Sequence, residues 1–219
     1  MIIGSFGLAA SREFSNAQEL AEIYGPWEGI RTNHVLGPSN SFAGEDGTSR
    51  TISHPIDRQL LLALRSQADL IVVDAATARI EKYRSPTSGT PLAVFSKTGR
   101  FEQIPALETS GSKIYLFSEQ RIPKGESRAH AEQVRVERSP IETLSEWAAV
   151  KGYKSILLES GPSFTKLAFA AGAVVQSALT FTPELDSTDI SKVEHAFDSH
   201  AALRSVASTS GATFTLWSH

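Results

Sequence analysis

Four stretches of this chain are continuous apolar runs, the last after a leading serine, and no longer than a strand: Leu70-Ile71-Val72-Val73, Leu92-Ala93-Val94-Phe95, Ile114-Tyr115-Leu116-Phe117 and Ser155-Ile156-Leu157-Leu158. A strand that is apolar on both faces has to be covered on both faces, so such runs belong in the middle of a layered sheet. Segments with helical periodicity separate them, the pattern of strands joined by crossover helices in an α/β fold. Toward the end the pattern changes. Ser177 to Thr182 and Thr213 to Trp217 alternate with period two, which predicts antiparallel strands near a sheet edge.

Three helices have legible starts. Ser53-His54-Pro55 places a hydroxyl and a first-turn proline before the run Leu60 to Leu64, and Ser139-Pro140 repeats the device before Ile141, Leu144, Trp147 and Ala148. Both predict a capped N-terminus. Pro162 or Ser163 opens a third helix, carrying Leu167, Ala168 and Ala171, with Gly172 as its stop. Nothing resembling a linker divides the chain, so residues 1–219 are expected to form one domain, with 1–29 a divergent N-terminal segment. The polar stretches 38–51 and 82–89 are expected to be long loops, a frequent place for function.

The 219 residues can bury a substantial core without staples. Cysteine is absent, which excludes disulfides, thiolate metal sites and cysteine nucleophiles and agrees with a reducing compartment. The opening Met1 to Ala10 is too short and too interrupted for a secretion signal, and no segment approaches the ~20 apolar residues of a spanning helix. A cytoplasmic protein without membrane partners is therefore expected. With 21 Lys+Arg against 24 Asp+Glu, net charge −3, and basic residues scattered, a nucleic-acid surface is disfavoured. A small anionic ligand is not.

The richest local feature is Leu158-Glu159-Ser160-Gly161-Pro162-Ser163-Phe164, where a buried strand turns into a helix. Gly161 permits close approach to the backbone, and the helix start offers unpaired N–H groups and a positive dipole end, an arrangement suited to a diphosphate. An ordinary strand-to-helix connection fits the same spacing. Asp74-Ala75-Ala76-Thr77-Ala78-Arg79-Ile80-Glu81 is a second turn of this type. There Thr77 and Arg79 could hold phosphates and Glu81 a ribose hydroxyl, or the alanines could simply allow close packing; the glycine pattern of a Rossmann loop is lacking.

Arg58 and Arg65, seven residues apart, share a helix stripe with Leu61 and Leu62 that is expected to face inward. A structural ion pair is expected for Arg58. For Arg65 a protein carboxylate and a substrate phosphate are equally good partners. His195-x-x-Asp198-x-His200 matches no established metal spacing, and no serine sits in a nucleophile elbow.

Taken in order, Ser53-His54-Pro55-Ile56-Asp57-Arg58, Leu64-Arg65-Ser66-Gln67-Ala68-Asp69, Asp74 to Arg79, Leu158 to Ser163 and Ala171-Gly172-Ala173-Val174 resemble the pyrimidine reductases of riboflavin biosynthesis, from about Ile30 to Trp217. The resemblance implies a three-layer dihydrofolate-reductase-like domain, with a mostly parallel central sheet, antiparallel C-terminal strands and helices on both faces. It implies reduction of the ribosyl group of an aminouracil ribosylamine phosphate by NADPH, and a homodimer; that no metal is expected follows from the histidine spacing given above. Residue by residue it makes Glu159 catalytic and substrate-facing, with Ser49 and Arg65 beside the substrate. Thr77, Glu81 and Ser96 would line the dinucleotide, and Gly161, Pro162, Ser163 and Phe164 would cradle its phosphates.

The sequence also departs from that family. Where Ser-x-Asp-Gly is common, Gly37-Pro38-Ser39-Asn40 stands, so the aspartate has become Ser39 and the glycine Asn40. Asp74 and Ala76 replace glycines, Ser160 replaces a glycine or alanine, and Thr182-Pro183-Glu184-Leu185-Asp186 lacks its glycine. Side chains added at a close-approach turn can obstruct a pyrophosphate. Two alternatives therefore stand beside the reductase: a nucleotide-binding protein without turnover, and a reductase of another heterocycle such as a pterin.

Overall fold

The structure is a computed structural model and describes residues 14–108, 111–123, 130–183 and 201–219. Its regular elements are α1 (Ala17–Tyr24), β1 (Gly29–Leu36), α2 (Pro55–Gln67), β2 (Leu70–Asp74), α3 (Ala75–Ile80), β3 (Leu92–Ser96), β4 (Ile114–Ser118), β5 (Ala131–Arg135), α4 (Pro140–Lys151), β6 (Ser155–Leu158), α5 (Pro162–Ala170), β7 (Val174–Phe181), β8 (Ala202–Thr209) and β9 (Ala212–Ser218). The strands are hydrogen-bonded in the order β5-β4-β3-β2-β6-β1-β7-β9-β8, a mixed sheet with antiparallel C-terminal strands. The chain forms two compact units, one from Met1–Trp27, Arg31–Leu64 and Val174–His219, the other from Glu28–Ile30 and Arg65–Ala173.

The second unit contains the parallel strands. β2 pairs with β3 and with β6, β3 with β4, and β4 with β5, all parallel. Leu70 to Val73 and Ile114 to Phe117 are wholly buried, as runs apolar on both faces require. Because the strands run the same way, their C-terminal ends collect along one edge. Asp74 sits opposite Phe95, Ser96 opposite Ser118, and Glu159 N–H donates to Val72 O at 2.8 Å. Ligands of open α/β sheets bind outside that edge. β5 reads Ala-Glu-Gln-Val-Arg with its polar residues exposed, an edge strand without the apolar run that would announce it.

In the first unit α1 is capped by Asn16: Glu19 N–H donates to Asn16 Oδ1 at 3.0 Å, and the Glu19 carboxylate reaches back to accept from Ser15 N–H, one residue before the cap, at 2.7 Å. β7·β9 and β8·β9 pair antiparallel as expected, with a bulge between Leu203 and Ser205, but Ser177–Phe181 and Ala212–Trp217 are buried on both faces, so the period-two pattern marks no solvent-facing side there. Trp217 is fully buried against Leu36, Leu179 and Phe181. Arg31 is also fully buried, stacked 4.0 Å from the Trp27 ring and donating to Gln176 and to the carbonyls of Tyr24 and Gly25. Burial pulls its pKa down to about 10, opposed by Tyr24.

Three local expectations are corrected. Ser53 does not cap α2 through its oxygen; its hydroxyl donates to Asp57 Oδ2 at 2.6 Å, and the His54 ring accepts from Ile56 N–H at 3.2 Å. The inward face of α2 is Asp57, Leu60, Ala63 and Leu64, while Leu62 is 44% exposed, because the buried stripe runs through Asp57, Leu60 and Leu64 at i, i+3 and i+7 rather than through Arg58 and Arg65. Arg58 is exposed and forms no ion pair among the described residues. The stretch His195 to His200 lies outside the described residues, as does Glu184 to Asp186.

Candidate functional site

Glu159 follows directly after β6 and is held by three donors. Arg65 Nε reaches Oε1 at 2.8 Å, Arg65 Nη2 reaches Oε2 at 2.6 Å, and the Tyr83 hydroxyl reaches Oε2 at 2.8 Å. The Arg65 guanidinium also lies over the Tyr83 ring, 4.7 Å from its centre. Side-chain exposure is 15% for Arg65 and 7% for Glu159, so this is a nearly buried bidentate pair, strong where water is scarce. Burial alone would lower the Arg65 pKa, but the Glu159 charge and its hydrogen bonds more than offset that and hold it raised. Burial, reinforced by the Glu159 charge, pushes the Tyr83 phenol well up and keeps it protonated. Of the two partners open to Arg65, the protein carboxylate is the one it meets.

The two strand-to-helix turns meet as well, since β2 and β6 are neighbours. Asp74 ends β2 and caps α3: Thr77 N–H donates to Oδ1 at 2.9 Å and Thr77 Oγ1 to Oδ2 at 2.7 Å. Gly161 N–H reaches across to the same Oδ2 and to Thr77 Oγ1, both at 2.9 Å. A Cβ built on Gly161 would stand 2.7 Å from Thr77 Oγ1. The close approach that Gly161 permits is thus made by the chain itself. Further along, α5 has no side-chain cap and no acidic residue in its first turn, and Pro162 occupies N1. The backbone N–H groups of Ser163 and Phe164 are those a helix start leaves without intrahelical partners. Those two N–H groups are what this helix start can offer an anion, while the Gly161 N–H is already satisfied.

The other expected residues fall as follows. Glu81 is the C-cap of α3, one turn beyond Thr77. Ser96 ends β3, 7% exposed, its Oγ accepting from Arg100 N–H at 3.1 Å. The Phe164 side chain packs 4.9 Å from Phe95, which stacks at 4.3 Å on Phe117; only its backbone faces the turn chemistry. Ser49 opens a short 3-10 turn in the first unit, whereas Arg65, Thr77, Ser96 and Glu159 all belong to the second. In the first unit's loop, Ser39 and Asn40 both adopt φ of 58°. Asn40 thus takes the left-handed backbone that glycine would occupy most easily, a conformation asparagine tolerates better than most residues. Asp46 is held by Thr48 N–H at 2.9 Å and by the hydroxyls of Thr48 and Thr51 at 2.8 and 3.1 Å. These bonds, the Thr48 backbone first, lower its pKa and make it a brace of that loop.

Sequence reasoning missed Tyr83 and the bonds made by Asp74. Tyr83 follows Lys82, whose φ of 47° turns the chain out of α3, and no motif marked it. Asp74 was legible as a polar side chain three residues before a threonine, a capping spacing. Among the described residues no group of three or more His, Asp or Glu could hold a metal, and no helix is long and apolar enough to cross a membrane.

Comparison with known proteins places this fold. The RibD C-terminal domain model matches residues 41–185, well over half of the chain. Among solved structures, a pyrimidine reductase-like protein from Corynebacterium diphtheriae superposes with a TM-score of 0.71 at 19% identity, covering 93% of this chain and 98% of that one. The riboflavin biosynthesis reductase of Saccharomyces cerevisiae gives 0.63 at 11% identity, covering 89% and 90%. A Thermotoga maritima diaminohydroxyphosphoribosylaminopyrimidine deaminase/5-amino-6-(5-phosphoribosylamino)uracil reductase gives 0.68 at 12% identity, covering 88% of this chain and 56% of that longer protein. At such identities the superpositions speak for the fold. A search of curated proteins finds no match. The sequence model and the shared dihydrofolate-reductase-like fold together establish that this chain belongs to the RibD C-terminal domain family of reductase-like proteins.

Proposed function

We propose that residues 1–219 act as one reductase domain that uses NADPH to reduce the ribosyl group of a phosphorylated aminouracil ribosylamine, of the kind named for the Thermotoga protein. The observation that carries this is the buried Arg65–Glu159–Tyr83 cluster at the strand-end edge of the family fold. A carboxylate fixed by three donors is held at a rigid position. Arg65 uses Nε and Nη2 on Glu159, leaving Nη1 to donate to a substrate phosphate or carbonyl.

In the reaction, the C1′–O4′ bond of the ribosylamine breaks as O4′ takes a proton, and a C1′=N bond forms that carries positive charge. Glu159, held in place by Arg65 and Tyr83, is the catalytic and substrate-facing residue in this reading, orienting the sugar hydroxyls so that C1′ is presented to the hydride. When bound, NADPH would supply the hydride that converts C1′=N into the ribityl amine. Ser163 and Phe164 would hold a phosphate of it through their N–H groups, with Gly161 and Pro162 shaping the turn and Thr77, Glu81 and Ser96 along its length. Ser49 is assigned to the substrate side.

The experiment is binding followed by turnover. NADPH should quench the fluorescence of the three tryptophans, and the deaminated or undeaminated ribosylaminouracil phosphate should then oxidise it. Glu159→Gln should remove turnover; an unimpaired variant would refute its role. Ser39, standing where the family commonly has aspartate, favours a second reading in which the chain binds the nucleotide without turning over or reduces another heterocycle, such as a pterin. Quenching without oxidation in the presence of either uracil substrate would select it.

A further inference from the structure

We infer that Asp74 is a specificity determinant that opposes the cofactor's diphosphate at the Gly161 turn. The inference rests on the cofactor proposed above and concerns how tightly that cofactor is held. Both groups at the junction of the two turns that would serve a phosphate, the Thr77 hydroxyl and the Gly161 N–H, donate to Asp74 Oδ2, at 2.7 and 2.9 Å. Thr77 N–H completes the set at Oδ1, 2.9 Å away. The chain has therefore put its own anion where a ligand anion would be received. A phosphate oxygen that approached Gly161 N–H would have to displace a carboxylate oxygen, or stop beside it with two like charges in a half-buried setting.

Withdrawal of the turn does not relieve this, because Gly161 N–H is also bonded to Thr77 Oγ1. Nor, among the described residues, does an ion pair neutralise it. The Arg79 guanidinium of the adjoining helix donates to the carbonyls of Arg100 and Glu102, at 2.7 and 3.1 Å, and lies 3.9 Å from the Glu102 carboxylate. What remains for a phosphate is the start of α5 at Ser163 and Phe164, with the Asp74 charge held next to it through Gly161. Asp74 thus shifts the site toward weak dinucleotide binding, and neutralising it should strengthen that binding.

The test is the NADPH dissociation constant of the full chain, by calorimetry, for wild type, Asp74→Asn and Asp74→Ser. Asn keeps the shape, and Ser keeps a capping oxygen for Thr77 N–H, so a thermal melt identifies a folded variant in which the charge is gone. Glu146→Gln, on the exposed face of α4 with 67% of its side chain accessible, removes one charge elsewhere. The Asp74 variants should bind about tenfold more tightly, and Glu146→Gln within about twofold of wild type. If wild type binds NADPH and the folded Asp74 variants bind no tighter, or if Glu146→Gln gains as much, the inference fails while the cofactor assignment stands. If none of the proteins binds NADPH at millimolar concentration, both fall.

Discussion

Replacing Glu159 by Gln should cost about 3 kcal/mol of stability, and the structure shows where the loss arises. At 2.6 Å between Arg65 Nη2 and Glu159 Oε2, the attraction at an effective dielectric of 20 is roughly 6 kcal/mol before desolvation is subtracted. The amide keeps one acceptor, which can serve Arg65 Nε. Its NH2 group then faces Arg65 Nη2, donor against donor, while the Tyr83 hydroxyl can rotate to accept. One charge-assisted hydrogen bond is lost, about 1.5–3 kcal/mol, and a guanidinium only 15% exposed is left without its counter-charge.

Arg65→Met should cost a similar amount by stranding Glu159. The double variant should cost about 3 kcal/mol rather than about 6, because neither charge is then left behind; the coupling is about 2–3 kcal/mol. Urea denaturation followed by circular dichroism, with unchanged m-values, measures all three. Additive losses, or a Glu159→Gln variant within about 0.5 kcal/mol of wild type, would mean that the pair does not form as described.

Two further outcomes are expected. Gly161→Ala should destabilise by about 1–3 kcal/mol: the backbone there has φ of −64°, which alanine accepts, so the whole cost is the 2.7 Å contact with Thr77 Oγ1. In a Thr77→Ala background most of that cost should vanish, and an equal cost in both backgrounds would locate the strain elsewhere. Asp57 is buried with its pKa raised from an ordinary 3.8, chiefly by desolvation and against hydrogen bonds from Ser53 and Thr180. Its folded pKa exceeds its unfolded one, so the native state holds the extra proton between them, and stability is lost as pH rises through that window. Asp57→Asn should therefore melt higher than wild type at pH 7 and converge with it below about pH 4; a constant difference at every pH would refute the assignment.

Much of the fold could be read from residues that act locally. The uninterrupted runs of β2, β3, β4 and β6 can be satisfied only by cover on both faces, and Ser139-Pro140 and Pro162 preset helix starts whatever lies around them. β5 and β8 were illegible because an edge strand carries no such run, and α1 because its Asn16 cap lies in the N-terminal stretch that the family resemblance does not reach. The stripe on α2 was misjudged for a related reason: Leu60 to Leu64 is apolar over more than one face, so only packing selects which row turns inward.

The candidate site divides along the same line. Sequence alone determined that Glu159 ends a buried strand, that Gly161 admits a close approach, and that a helix opens at Pro162 or Ser163, since each of these follows from a few adjacent residues. What approaches Gly161 was decided by tertiary structure. β2 and β6 are far apart in sequence but neighbours in the sheet, so pairing them brings the Asp74 carboxylate to Gly161 N–H and Arg65 to Glu159. Bonds that span 87 and 94 residues leave no periodicity behind, and they exist only once the sheet has chosen its strand order.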